Sequence, residues 1–110
     1  MLKIAQTNEF EDLSSRGFTY EKGGESISGF VVHQYGQYFA YVNQCPHTGA
    51  PLDWVEHQFL DSDKEYIQCA VHDARFVIDS GECVLGPCSG QSLKQLPIVE
   101  KDGDLLLEEI

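Results

Sequence analysis

Short runs of apolar residues separated by polar turns follow one another along most of the chain, and this pattern predicts strands rather than helices. Residues 26–33 and 37–42 are rich in β-branched and aromatic side chains, and the turn around Tyr35-Gly36 joins them into a predicted β-hairpin. Later pairs of runs show the same arrangement: residues 66–69 with 75–78, and residues 96–99 with 105–107.

These strands and turns predict an all-β fold, a small antiparallel β-sandwich or barrel. Only residues 8–13 indicate a helical turn, with Thr7 or Asn8 as its N-cap. A length of 110 residues and a hydrophobic content of 42% favour a single domain over residues 1–110. Residues 43–90 differ, because they hold all four cysteines and three of the four histidines. We expect this segment to form a loop-rich subdomain, inserted into the β scaffold, that carries the functional site.

The charge balance restricts the classes of partner. With 7 Lys and Arg against 18 Asp and Glu, the formal net charge is -11. Nucleic acid and anionic membrane both require a basic face, so the sequence argues against either as a partner and favours a protein with a basic surface. No apolar run is long enough to span a bilayer, and the N-terminus lacks the apolar stretch of a signal peptide. We therefore expect a cytoplasmic protein, whose oligomeric state the sequence leaves open.

Two short motifs supply the candidate chemistry. They are Cys45-Pro46-His47 and Cys69-Ala70-Val71-His72, with 21 residues between His47 and Cys69. Two thiolates and two imidazoles suit either zinc or an iron–sulfur cluster. A zinc finger places its cysteines together and its histidines together, whereas here the order alternates. Alternation is expected where each loop divides its Cys and His between two metals, as in a [2Fe–2S] centre with two Cys on one iron and two His on the other.

With their flanking residues, these motifs resemble those of the Rieske [2Fe–2S] ferredoxins. Residues 45–52 and 69–76 resemble the two cluster-binding loops, and Gly86-Pro87 resembles the proline-bearing loop that covers the cluster. The resemblance implies a Rieske-type [2Fe–2S] cofactor, the buried iron held by Cys45 and Cys69 and the iron nearer solvent by His47 and His72. The sequence departs from the family in a longer spacing between the motifs and in Asp73, which stands where Gly is common.

The resemblance also implies a function, that of an electron-transfer protein rather than an enzyme. A soluble one-electron carrier would pass electrons from a reductase to an oxygenase or similar terminal enzyme. A chain of 110 residues leaves no room for the mononuclear iron domain of a Rieske oxygenase. The alternatives are a cluster-bearing small subunit or regulatory module of a larger reductase, similar to the nitrite reductase small subunit, and a zinc-bound interaction module.

A low reduction potential follows from the same resemblance. High-potential members carry a disulfide between the two loops, at positions where this chain has Ala50 and Val71. They also carry hydroxyl groups that donate hydrogen bonds to the cluster and to a Cys sulfur, at positions where this chain has Ala74 and Phe76. Because such bonds stabilise the more negative reduced cluster, their loss lowers the potential.

Several further residues have two interpretations each. Cys83 and Cys88 either form a short disulfide or stay reduced, and Arg75 either is exposed or pairs with Asp73 or Asp79. Trp54 either packs or shields the site, while we expect His33 and His57 to be structural. A set of acidic residues forms either a docking patch for a basic partner or a solvated loop: Glu56, Asp61, Asp63 and Glu65.

Overall fold

The computed structural model describes residues 2–11, 13–44, 46, 52, 59–61, 64–69, 74–86 and 90–108. Over these residues it contains ten strands and a single 3-10 turn, Thr7–Glu9. The strands, in chain order, are β1 (Leu2–Gln6), β2 (Ser14–Lys22), β3 (Glu25–Gln34), β4 (Gln37–Val42), β5 (Tyr66–Gln68), β6 (Arg75–Val77), β7 (Cys83–Leu85), β8 (Gln95–Leu96), β9 (Ile98–Lys101) and β10 (Asp104–Leu107). In the parts of the chain that the structure describes, no helix has the length and apolar character needed to cross a membrane.

The strands form three sheets, with the orders β2-β3-β4-β8, β1-β10-β9 and β5-β6-β7. Every pairing is antiparallel, so the all-β antiparallel prediction is confirmed. The predicted first hairpin is β3–β4, closed by Tyr35 at φ 51° and Gly36 at φ 76°. Two successive positive φ values are typical of the tight turn whose twist matches that of the flanking strands.

The helical turn predicted for residues 8–13 is wrong in extent and in its cap. The turn covers only Thr7–Glu9, and Gln6, not Thr7 or Asn8, is the N-cap. The Gln6 N–H donates to the Glu9 carboxylate at 2.6 Å, which favours a start one residue earlier than predicted. Phe10 is already extended, and its burial draws the chain out of the helical conformation toward β2.

Two hydrophobic cores lie on opposite faces of β3 and β4. In β3, Phe30 and Val32 belong to one core and Val31 to the other, as the alternation of a strand requires. The first, called the site-side core, contains Phe30, Val32, Tyr41, Leu52, Phe59, Ile67, Cys69, Ala74, Phe76, Ile78, Cys83 and Leu93. The second, called the base core, contains Phe10, Val31, Ala40, Leu96, Leu105 and Leu107. The β5-β6-β7 sheet therefore packs on one face of the β3–β4 hairpin, and β10 on the other.

Candidate metal centre

The β5–β6 hairpin carries Cys69 at its closed end. In that hairpin Ile67 pairs with Phe76 and Gln68 with Arg75. The Cys69 N–H then donates to the Ala74 carbonyl at 2.9 Å. The chain therefore enters and leaves residues 70–73 from adjacent backbone positions. Among the predicted ligands, Cys69 is placed by the structure, and the remaining ligands lie outside the described residues: Cys45, His47 and His72.

The surroundings of Cys69 are apolar. Cys69 is a free cysteine with no solvent exposure. It belongs to the site-side core, which also contains Leu52, Ile67 and Phe76, none of them exposed. A thiolate in such surroundings is costly unless a cation compensates its charge, and thiolates are the ligands that iron–sulfur clusters use. The position of Cys69 therefore fits the thiolate side of an iron–sulfur centre.

Asn43 spans the segment that contains the first motif, a role that the sequence reasoning missed. Its N–H donates to the Ser28 carbonyl at 2.9 Å, and its Nδ2 donates to the Ser28 hydroxyl at 3.3 Å. Its Oδ1 accepts a hydrogen bond from the Leu52 N–H at 2.7 Å. The side chain thus joins the end of β4 to buried Leu52 on the far side of the motif. An Asn directly after a strand, with its tendency to bond nearby backbone amides, is the signal that could have revealed it.

Gly86 brings the predicted third loop against the second. Its φ is 105°, and a Cβ built there would lie 2.9 Å from the Ala74 Cα. Only glycine tolerates both the backbone conformation and the close approach. Gly86, at the start of the predicted third loop, thus packs against Ala74, at the end of the predicted second loop. Pro87 lies outside the described residues.

Arg75 pairs with Asp61, a partner that the sequence did not predict. The Arg75 Nη1 lies 3.5 Å from the Asp61 Oδ2. The predicted partner Asp73 lies outside the described residues, and Asp79 lies in the turn after β6. Asp61 is only 5% exposed, so it belongs neither to a surface docking patch nor to a solvated loop, the two alternatives that the sequence left open. Of the other acidic residues in that set, Glu65 is exposed, and Glu56 and Asp63 lie outside the described residues.

Of the remaining cysteines and histidines, the structure describes Cys83 and His33. Cys83 is a buried free cysteine whose Sγ donates to the Leu85 carbonyl at 3.4 Å. His33 is structural, as predicted, because its ring stacks on Tyr38 with a centroid separation of 4.4 Å. Cys88, Trp54 and His57 lie outside the described residues.

Comparison with known families decides the identity of the centre. The family model of the Rieske [2Fe–2S] domain matches residues 2–100. The chain belongs to this family. The cofactor predicted from the two motifs, a Rieske-type [2Fe–2S] cluster, is thereby confirmed.

Solved structures with the same fold include ferredoxins of the Rieske type. A ferredoxin of Sphingomonas yanoikuyae B1 superposes with a TM-score of 0.75 at 24% identity, covering 99% of this chain and 98% of that one. The ferredoxin of carbazole 1,9a-dioxygenase from Nocardioides aromaticivorans IC177 gives a TM-score of 0.73 at 20% identity, covering 96% and 94%. At these identities the likeness establishes the Rieske fold.

The curated relatives are subunits of the cytochrome bc1 complex, whereas the two solved structures above are ferredoxins. The cytochrome bc1 complex Rieske iron-sulfur subunit of Corynebacterium efficiens is 36% identical over 76 residues, 67% of this chain. The corresponding subunit of Corynebacterium glutamicum is 36% identical over 74 residues, 66% of this chain. This chain spans only 17% of the length of either relative. The matched region is thus one Rieske domain within each of these longer relatives.

Proposed function

We propose that this chain is a soluble one-electron carrier of low potential, which passes electrons from a reductase to an oxygenase or similar terminal enzyme. Its ligands would be Cys45 and Cys69 on the buried iron, and His47 and His72 on the iron nearer solvent. The observation that carries the proposal is the fully buried free thiol of Cys69 at the closed end of the β5–β6 hairpin.

When bound, the cluster would supply a site that accepts and returns one electron. The chain's own residues would hold it and control its surroundings. The Cys69 thiol would lose its proton on ligation, and the apolar side chains of Leu52, Ile67 and Phe76 would keep water from that side. The Asn43–Leu52 and Cys69–Ala74 hydrogen bonds would hold the two ligand segments with little rearrangement.

Two features support a low potential. Ala74 and Phe76 are fully buried and carry no hydroxyl group, so neither side chain can donate a hydrogen bond to a sulfur. An apolar environment with few donors disfavours the extra negative charge of the reduced cluster. The net charge of -11 acts in the same direction. The absence of cysteine at positions 50 and 71 distinguishes the chain from the high-potential pattern, although the curated relatives are cytochrome bc1 subunits.

The charge also supports a partner with a basic docking surface. In the fold comparison, one structure is a complex of reduced oxygenase and oxidized ferredoxin of carbazole 1,9a-dioxygenase. By analogy, we propose a terminal enzyme of this kind as the electron acceptor and a cytoplasmic location for both. Reoxidation of the reduced protein by a purified oxygenase, at a rate that falls as salt is raised, tests the pairing and its electrostatics.

The cluster itself is tested with a pair of cysteine variants. The purified protein should be reddish brown, contain two iron and two sulfide per chain as its cofactor requires, and give the EPR signal of a reduced Rieske centre. C69S should lose iron and colour, whereas C83S, which alters the second buried free cysteine among the described residues, should keep both. A colourless protein with stoichiometric zinc, or a C69S variant with full iron content, would overturn the proposal.

A further inference from the structure

The Asp61 carboxylate is the one buried charged group among the described residues. Its side chain is 3% exposed. One oxygen, Oδ1, accepts hydrogen bonds from the Glu65 N–H at 2.9 Å and the Tyr66 N–H at 3.3 Å. The other, Oδ2, lies 3.5 Å from the Arg75 guanidinium. The two carboxylate oxygens therefore have different partners. Oδ1 holds the backbone of the turn that leads into β5, and Oδ2 contacts the Arg75 side chain of β6.

Arg75 is the first residue of β6 and directly follows Ala74, whose carbonyl accepts the Cys69 N–H. On the neighbouring strand, Arg75 pairs with Gln68, the residue before Cys69. The ion pair thus joins the start of β5 to the start of β6, next to the hydrogen bond that closes the Cys69 segment. The Asp61 side chain is 3% exposed and that of Arg75 is 34% exposed, so the pair is buried on the Asp61 side only. A charge pair fixed at this position would both restrain the segment and act on any charge placed there.

We propose that the Asp61–Arg75 ion pair is a positioning element of the metal centre, which holds the segment that begins at Cys69 in its ligating conformation and balances the local field during reduction. The electrostatic half of this inference rests on the proposed function, whereas the positioning half concerns the hairpin itself.

The charges of the two residues predict the direction in which each variant shifts the midpoint potential. D61N keeps an oxygen for the two backbone amides but removes the negative charge that lies 3.5 Å from the Arg75 guanidinium. R75Q removes the positive charge and leaves the Asp61 carboxylate uncompensated. Since reduction adds one negative charge, D61N should raise the midpoint potential and R75Q should lower it. In D61N/R75Q both positions are neutral, and the midpoint should return close to that of the wild type.

Glu65 offers a matched control within the same turn. Its side chain is exposed, and its backbone N–H takes part in the Asp61 network. E65Q removes the same charge as D61N but at a site screened by solvent, so its shift in midpoint should be the smaller. A purely structural role of the pair would move the midpoint of D61N and R75Q in the same direction, and that result would overturn the electrostatic half.

Hydrogen exchange tests the positioning half without any redox readout. On the full chain as purified, peptides spanning β5 and β6 should exchange roughly tenfold faster in D61N and in R75Q than in E65Q, because a hydrogen bond to a charged group is lost. The double variant should exchange no faster than the worse single variant, since the two changes remove one interaction. Equal exchange in D61N and E65Q would overturn the positioning half, even in a protein that carries no cluster. Absence of a cluster from the wild type would instead contradict the proposed function.

Discussion

The side-chain oxygen of Asn43 accepts the backbone N–H of Leu52 at 2.7 Å, across eight intervening residues that include Cys45 and His47. Leu52 has no solvent exposure, so its amide has no water as an alternative partner. One side chain therefore satisfies a buried donor and joins the two ends of the segment that carries the first motif.

Replacement of Asn43 by alanine should weaken both the fold and the centre. N43A leaves the Leu52 N–H without its acceptor, which typically costs about 1–3 kcal/mol when the group is buried. We expect a loss of that order in the free energy of unfolding, measured with urea, together with faster release of iron to a chelator. Q44A is the matched control, because Gln44 is the exposed neighbouring amide side chain.

The aspartate variant separates the bond to the Leu52 N–H from the bond to the Ser28 hydroxyl. N43D keeps an oxygen for Leu52 but loses the Nδ2 that donates to the Ser28 hydroxyl. It should retain iron better than N43A. Release of iron at the same rate from N43A and Q44A would contradict a role for the Leu52 bond.

Gly86 and Gly90 form a natural pair of test sites. Both have positive φ, 105° and 93°, but a Cβ on Gly86 would lie 2.9 Å from the Ala74 Cα, whereas none of the described atoms lies within 4 Å of one on Gly90. Both alanine variants carry the backbone strain, which costs about 1–3 kcal/mol. G86A should lose additional stability and release iron faster, because the clash falls on the residue that closes the Cys69 segment. Equal unfolding midpoints in urea for G86A and G90A would show that the close approach has no consequence.

The parts of the fold that depend on local chemistry were predictable. The β3–β4 hairpin follows from β-branched strands and a Tyr35-Gly36 turn, and β9–β10 follows from Asp102-Gly103, again with two positive φ values. Strands β1 and β2 were missed because neither contains a fully buried residue, and β2 is rich in polar side chains. Their stability comes from pairing with distant residues, as when Leu2 pairs with Leu107, and no local pattern signals that.

The same distinction applies to the candidate centre. Cys69 was predicted as a ligand because the motifs Cys45-Pro46-His47 and Cys69-Ala70-Val71-His72 each combine a thiol with an imidazole, which indicates metal chemistry. Asn43 and Asp61 were not found as supporting residues, because their roles depend on Leu52 and Arg75, which the fold brings to them. Asp61 was expected in a docking patch or in a solvated loop, both of them exposed, because a sequence shows the charge of a residue but not its burial.

If the potential is low because hydrogen-bond donors are missing, as proposed, then restoring a donor should raise it. F76Y adds a hydroxyl at the fully buried Phe76 of β6, one of the two positions where the family resemblance implies a hydroxyl donor in high-potential members. A hydrogen bond that favours the reduced state tenfold raises a one-electron midpoint by about 59 mV. We expect an increase of that order in a potentiometric titration followed by visible absorbance. F39Y, which adds the same hydroxyl to a partly buried ring of β4, should leave the midpoint unchanged. Equal shifts in both variants would contradict a local effect.

Because of Tyr41, the free energy of unfolding should fall as the pH becomes alkaline. Burial raises the pKa of its phenol well above the usual value, and the negative charge of Asp79 adds to the effect. The phenol also donates to the Ile78 carbonyl at 2.6 Å, which only the protonated form can do. In the unfolded chain the phenol titrates near pH 10. Below that pH both states bind the proton, and the stabilisation is fully present. Above it the unfolded state loses the proton first, so stability falls as the pH rises toward the folded-state pKa.

Comparison of the wild type with Y41F isolates this contribution. At pH 7–9, Y41F should be less stable by about 1 kcal/mol, because the bond to the Ile78 carbonyl is lost. Above about pH 10 the advantage of the wild type should shrink by up to about 1.4 kcal/mol per pH unit, since one more proton is bound in the folded than in the unfolded state. Urea unfolding at a series of pH values from 8 to about 11 measures both regimes. Only a difference between the folded-state and unfolded-state pKa of Tyr41 can narrow the stability difference between wild type and Y41F. If that difference stays constant over this range of pH, the prediction is wrong.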